Sequence, residues 1–175
     1  MSRKKEQRTF TIFVEGDSEM MYFKALNQQQ WVRNSKYKLN LIRCKNHDEL
    51  LKIAFGEKKY QRKKLSFFDK VAFVVDKDHM TRERFDQLLK MDYAIGFSNP
   101  KFELWLLAHF EKLQENYPNV EKNLRKYILG YHKTHSQIAY LAKKHDQAIQ
   151  NVGEKNKPKF DKVCTSVGSV IQEIL

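Results

Sequence analysis

The run Val71-Ala72-Phe73-Val74-Val75, followed at once by Asp76-Lys77-Asp78, leaves a folding chain few choices. It is short, rich in β-branched residues and apolar on both alternating faces, so both faces need cover. A surface strand of an antiparallel sheet would alternate apolar with polar, whereas a central parallel strand between two helical layers would not. The run is far too short to span a bilayer as a helix, which takes about 20 apolar residues. A buried parallel strand over 71–75, stopping at a polar turn, is therefore expected.

The flanking sequence supplies the partners. Thr9-Phe10-Thr11-Ile12-Phe13-Val14 reads as a strand that runs into the tight turn Glu15-Gly16-Asp17-Ser18, with Asp17 or Ser18 as the helix N-cap. Residues 19–30 have helical spacing, with Met20, Tyr22, Phe23 and Leu26 mostly on one side. Residues 37–44 alternate as a strand should. A helix follows from about Asn46, with Asp48 and Glu49 in its first turn and Leu50, Leu51, Ile53, Ala54 and Phe55 as its core face. Thr81 caps a helix running to about Lys90, and residues 92–97 form a short strand. Ser98-Asn99-Pro100 opens an amphipathic helix through Phe110, with the proline in its first turn. This alternation predicts an α/β fold: a Rossmann-type, mainly parallel sheet flanked by helices. From about 111 the pattern becomes helical and charged over 119–151, then a polar basic loop over 153–159, then a closing helix over 165–175. One domain is expected over 9–175, with a core of about 9–110, a C-terminal helical extension of about 111–175, and a basic tail over 1–8.

Charge narrows the partners. The chain carries 33 Lys and Arg against 21 Asp and Glu, a net +12 in 175 residues. Such an excess attracts polyanions, nucleic acid before anionic membrane. Candidate phosphate contacts are Arg3, Lys4, Lys5 and Arg8 in the tail, then Lys58, Lys59, Arg62, Lys63 and Lys64, and last Lys155, Lys157 and Lys159. Each stretch also reads as a solvated loop. Cys44 and Cys164 lie far apart, without a CxxC, and read as buried reduced thiols. No apolar segment follows the basic N-terminus MSRKKEQRTF, so a signal peptide is not expected and a cytoplasmic protein is.

In an open parallel sheet, ligands gather at the carboxyl ends of the strands. Here the first strand ends in Glu15, the third in Asp76 and Asp78, and the fourth in Ser98 and Asn99. Carboxylates packed together are costly unless a proton or a cation relieves them. Mg²⁺ takes hard oxygen ligands of this type and keeps waters and substrate phosphate as well. Aspartates at strand ends also serve as turn and cap residues, so it is their joint placement with Glu15 that points to a metal. Glu19, about one helical turn on from Glu15, either reaches back to the cluster or favours the helix N-terminus. Glu103 has the same two readings. His79, beside the aspartates, is a turn residue or a group that acts on a proton or a phosphate. Lys77 is expected to point away from the aspartates. Zinc spacings, a P-loop, a GxGxxG and a GxSxG are all absent, so those chemistries are not supported.

Four stretches resemble the RloB family, whose core is similar to a TOPRIM domain. They are Val14-Glu15-Gly16-Asp17-Ser18-Glu19 with Tyr22-Phe23, Phe73 to His79, Phe97 to Phe110 with its SNPxFExW pattern, and Thr165-Ser166-Val167. The resemblance implies a TOPRIM-like sheet whose Glu and DxD carboxylates bind Mg²⁺ (or Mn²⁺) for phosphoryl transfer. It also implies an association with restriction and phage-resistance loci, with an ATPase partner subunit. No strand-passage domain or primase zinc module accompanies these motifs, so a small nuclease fits better than a topoisomerase or a complete primase. The expected function is Mg²⁺-dependent hydrolysis of DNA or RNA in phage defence. Glu15, Asp76, Asp78, Glu19 and His79 are the catalytic candidates, and Glu15, Asp76, Asp78 and Glu103 the metal ligands. The alternative is a non-catalytic nucleic-acid-binding module, or a toxin subunit controlled by the ATPase.

Overall fold

A computed structural model describes residues 7–57, 70–78 and 80–175. The expectations for Arg3, Lys4, Lys5, His79 and the Lys58–Lys64 stretch fall outside the described residues. In chain order the elements are β1 (Arg8–Val14), α1 (Asp17–Asn27), α2 (Gln30–Arg33), β2 (Tyr37–Arg43), α3 (His47–Ala54), β3 (Lys70–Asp76), α4 (Arg82–Lys90), β4 (Ala94–Asn99), α5 (Glu103–Leu107), α6 (Val120–Leu124), α7 (Gln137–Leu141), α8 (His145–Val152), β5 (Cys164–Thr165) and α9 (Val167–Gln172). The strands form one sheet in the order β2-β1-β3-β4-β5, parallel throughout except for β5. This is the Rossmann-like α/β architecture that the alternation predicts.

Period-two alternation distributes the apolar strand residues between two cores. Phe10, Ile12 and Val14 of β1 and Ala72 and Val74 of β3 face the layer formed by α1, α5 and the C-terminal helices. Phe13 of β1 and Val71, Phe73 and Val75 of β3 face α3 and α4, where Leu50, Ile53, Phe85 and Leu88 cover them. The Phe13 and Phe73 rings stack at 5.0 Å across the strand pair. The both-face apolarity of the 71–75 run thus has its cause in two helical layers.

Several local expectations are corrected. Gly16, not Asp17 or Ser18, is the N-cap of α1, with no side-chain cap. The Ser18 hydroxyl instead donates to Glu19 Oε2 at 2.8 Å, and Asp17 pairs with Arg43 at 2.6 Å. Arg8 opens β1 rather than ending a tail. The helix expected from Pro100 to Phe110 shrinks to α5: Pro100 precedes the helix, and the backbone leaves it after Leu107. The helical stretch over 119–151 is broken into three short helices, and Gly130 takes φ +69 between the first two. Thr165, expected to open the closing helix, instead forms with Cys164 the antiparallel strand β5 beside β4, and the helix begins at Val167. The capping by Thr81 holds, its Oγ1 accepting from the Arg84 amide at 3.2 Å. Among the described residues, no helix is long and apolar enough to cross a membrane.

Candidate metal centre

The strand order places a switch point between β1 and β3. The chain leaves β1 for β2 on one side, then returns to put β3 on the other. In such sheets the crevice outside the carboxyl ends at the switch point is the usual ligand site. Glu15 follows β1 directly and Asp76 ends β3, so the two straddle it.

Asp76 is the electrostatic focus. Its Oδ1 is sealed from solvent and has no hydrogen-bond partner among the described residues. Burial, and then the fields of Glu19, Glu103, Glu15 and Asp78, push its carboxyl well above the usual range. The structure therefore brings five of the six acidic and histidine candidates into one field, and only His79 lies outside the described residues. Glu19 is buried in the first turn of α1. Burial raises its pKa against the bonds from its own amide and Ser18, and Glu103 and Glu15 raise it further. Its carboxylate folds back over Gly16, so closely that a Cβ there would sit 2.4 Å from Oε2. The backbone at Gly16 is extended (φ −107, ψ 172), so what calls for glycine is this close approach rather than the backbone angle.

Glu103 opens α5 and is buried, and its Oε1 accepts from the Tyr131 hydroxyl at 3.1 Å. Burial, and then that contact with Glu103, push the phenol up. Lys101 Nζ donates to Glu121 Oε1 at 2.8 Å. Burial lowers the pKa of Lys101, but Glu121, Glu103 and Asp78 outweigh it and raise the ammonium overall. Lys77 turns away from the aspartates and lies over the Phe160 ring at 4.6 Å, as its position between them predicts.

Two groups escaped the sequence reading. His47 starts α3, and its Nδ1 lies 3.4 Å from Glu15 Oε2 without a hydrogen bond. The signal for it was only general: strands consecutive in a βαβ unit tend to be neighbours, which brings the residues after β2 beside Glu15. Tyr131 had no such signal, since it arrives from a loop 28 residues beyond Glu103. A concavity of about 430 Å³, lined by Glu15, His47, Asp48, Thr81 and Arg84 among others, opens next to Glu15.

The donor set fits a hard cation in type and charge. All the oxygens are carboxylate, one is a buried acceptor without a donor, and each acid raises the cost of ionising Asp76. The geometry is not a closed cage, because among the described residues no group of three or more His, Cys, Asp or Glu side chains is arranged to hold a metal ion. Mg²⁺ sites often have this sparse form, with one or two carboxylates and the remaining positions left to water and substrate phosphate. The basic candidates are less gathered. Lys155 is tied to Glu115 at 2.6 Å, Lys157 and Lys159 are exposed on the same loop, and Arg8 lies at the far end of β1 from Glu15.

The SNP and TSV stretches are joined by hydrogen bonds. Ser98 Oγ and Thr165 Oγ1 lie 2.9 Å apart, buried, and Ser166 Oγ accepts from the Phe97 amide and donates to Ile95 O. Asn99 Nδ2 donates to the carbonyls of Phe160 and Lys162. These residues fasten the C-terminal segment to the strand whose Ser98 pairs with Asp76.

Fold and site together define a Rossmann-like α/β protein with a cluster of carboxylates at its switch point. The family model described as RloB-like protein matches residues 10–174, nearly the whole chain, and the chain belongs to that family. Comparison with curated proteins and with solved structures gave no match.

Proposed function

We propose that this protein is a divalent-metal-dependent nuclease that hydrolyses phosphodiester bonds of DNA or RNA. The observation that carries the reading is the sealed, unpartnered Oδ1 of Asp76, which sits in the field of four further carboxylates at the switch point. A chain with net charge +12 that concentrates acid at one spot is matched to a cation and a polyanion together.

Asp76 and Asp78 would hold Mg²⁺ or Mn²⁺. When bound, such an ion supplies Lewis-acid polarisation of the phosphate and a bound water of lowered pKa. Glu15, which is partly exposed, would orient the attacking water and take its proton, or ligate the ion. Glu19 and Glu103, held by Ser18 and Tyr131, would fix the field and complete the cluster. His79 would assist from beside Asp78. Exposed basic side chains would hold the backbone with little base readout. The family resemblance further suggests a role in phage defence, beside an ATPase partner.

The test is cleavage of labelled single-stranded DNA, double-stranded DNA and RNA with Mg²⁺, Mn²⁺ or EDTA, comparing wild type with Asp76→Ala and Glu15→Ala. Metal-dependent cutting that both substitutions abolish establishes the reading. A folded wild type that cuts nothing, while both variants keep salt-sensitive binding, replaces it with a binding module.

A further inference from the structure

The described residues expose six large hydrophobic side chains, and four of them line one concavity of about 310 Å³: Phe110, Tyr127, Leu129 and Tyr140. Leu129 is 91% exposed, Tyr140 50%, Tyr127 45% and Phe110 37%. Scattered apolar residues on a surface need no explanation, but a cluster does. The rings are ordered. Phe110 and Tyr127 stack with centroids 4.8 Å apart and planes 4° from parallel, and the Tyr127 hydroxyl donates to Glu111 Oε2 at 2.6 Å. Lys143 and Lys144 hold their ammonium groups over the Tyr140 ring at 6.0 and 5.1 Å.

The segment that builds most of this cluster is basic. Residues 122–145 contain six Lys or Arg, three His, and no Asp or Glu. Glu111 is acidic, but its oxygens already accept from the hydroxyls of Tyr117 and Tyr127. A short stretch of backbone joins the cluster to the carboxylate site. Tyr131 turns inward to Glu103, while Tyr127 and Leu129, a few residues before it, turn outward.

We propose that this concavity is a stacking platform for the unpaired bases of a single-stranded nucleic acid. Lys143, Lys144 and their basic neighbours would take the phosphates. Flat exposed rings beside lysine ammonium groups suit unpaired bases, which present a π-face and a phosphate at regular intervals. A duplex hides its base faces and offers only its backbone to such a surface. The inference rests on the reading of the chain as acting on nucleic acid, and deepens it by naming the strandedness of the substrate.

Fluorescence anisotropy tests it, using the full chain in EDTA with labelled oligo-dT, oligo-U and a duplex of the same length. The single strands are expected to bind more tightly than the duplex. Tyr140→Ala should weaken single-strand binding roughly 5- to 100-fold, as loss of one stacked base does. Tyr140→Phe should retain it. Lys143→Ala with Lys144→Ala should flatten the salt dependence. These side chains are exposed, so an unchanged melting temperature is expected and serves as the check on folding. Platform-dependent binding without any cleavage would uphold this proposal while the nuclease reading failed. Cleavage that Asp76→Ala abolishes, with single-strand binding untouched by Tyr140→Ala and by the lysine pair, would overturn the platform and leave the nuclease standing. Wild type that binds no oligonucleotide but self-associates, and becomes monomeric on Leu129→Asp, would also overturn it, assigning the patch to a second copy of the chain.

Discussion

Burial, and then four neighbouring carboxylates, oppose the charge on Asp76 and push its carboxyl well above the usual range. Its folded pKa lies above the unfolded value of about 4, so at neutral pH folding must either keep a proton or accept repulsion. Stability of the metal-free protein should therefore fall as pH rises through the folded pKa. Asp76→Asn should raise the EDTA-treated melting temperature near neutral pH by about 2–4 °C, the shift that ~1 kcal/mol gives at this size. The difference from wild type should grow with pH, and Mg²⁺ should stabilise wild type but not the variant. A cation that stabilises both equally would place its binding elsewhere. Gly16→Ala probes the same cluster from the backbone. Its Cβ would occupy the space of the Glu19 carboxylate, which must swing away. Little loss of stability is expected, with a weaker Mg²⁺-dependent rise in melting temperature. His109 acts with the opposite sign. It is buried against Tyr22, its Nε2 lying 3.0 Å from the phenol oxygen, and burial lowers its pKa to about 4. Between about pH 4 and about pH 6.5 the native state therefore keeps the ring neutral while the unfolded chain protonates it. Its contribution is present above about pH 6.5 and is lost as pH falls towards the folded value, on the order of 3 kcal/mol in all. Acid denaturation of wild type and His109→Gln, followed by circular dichroism, should show a flatter acid limb in the variant.

Elements explain which parts of the fold were legible. β1 and β3 could be read because each is covered on both faces, which leaves a continuous apolar run in β3 and a β-branched and aromatic run in β1. Helix α4 carries the cap expected at Thr81, and α3, expected to begin at about Asn46, is capped by that residue's side chain. Short α5 was overestimated because its apolar residues continue past Leu107, while the backbone leaves the helix. β5 was invisible: two residues have no period, and their pairing depends on Ser98 and Asn99, more than sixty residues earlier. The Ser166 hydroxyl serves this edge by satisfying the buried Phe97 amide. Ser166→Ala should cost about 1–3 kcal/mol, the penalty for leaving a buried donor without a partner. Urea denaturation would measure it, and Mg²⁺ stabilisation should persist in the variant.

On the scale of the whole molecule, the sequence reading reached the acidic cluster because strand ends and an α/β alternation suffice to bring Glu15 and Asp76 to one edge. It could not reach the order β2-β1-β3-β4-β5, which turns that edge into a switch point, nor the inward turn of Tyr131. The charge of +12 is likewise a property of the whole chain, and binding of any nucleic acid should weaken steeply as salt is raised. Titrations at two salt concentrations check this, and a salt-independent affinity would exclude phosphate contacts as its source.

The joining of β4 to Thr165 and Ser166 also governs timing. A chain is synthesised in order, and the contacts that close this edge span 67 and 69 residues. Until the extension has been made, β4 presents unpaired amides and carbonyls beside a half-assembled acid cluster. Contacts so distant in sequence form slowly, and an open edge meanwhile invites wrong pairing. The nascent protein thus passes through an interval of vulnerability in which its sheet can already exist while its wall next to Asp76 cannot.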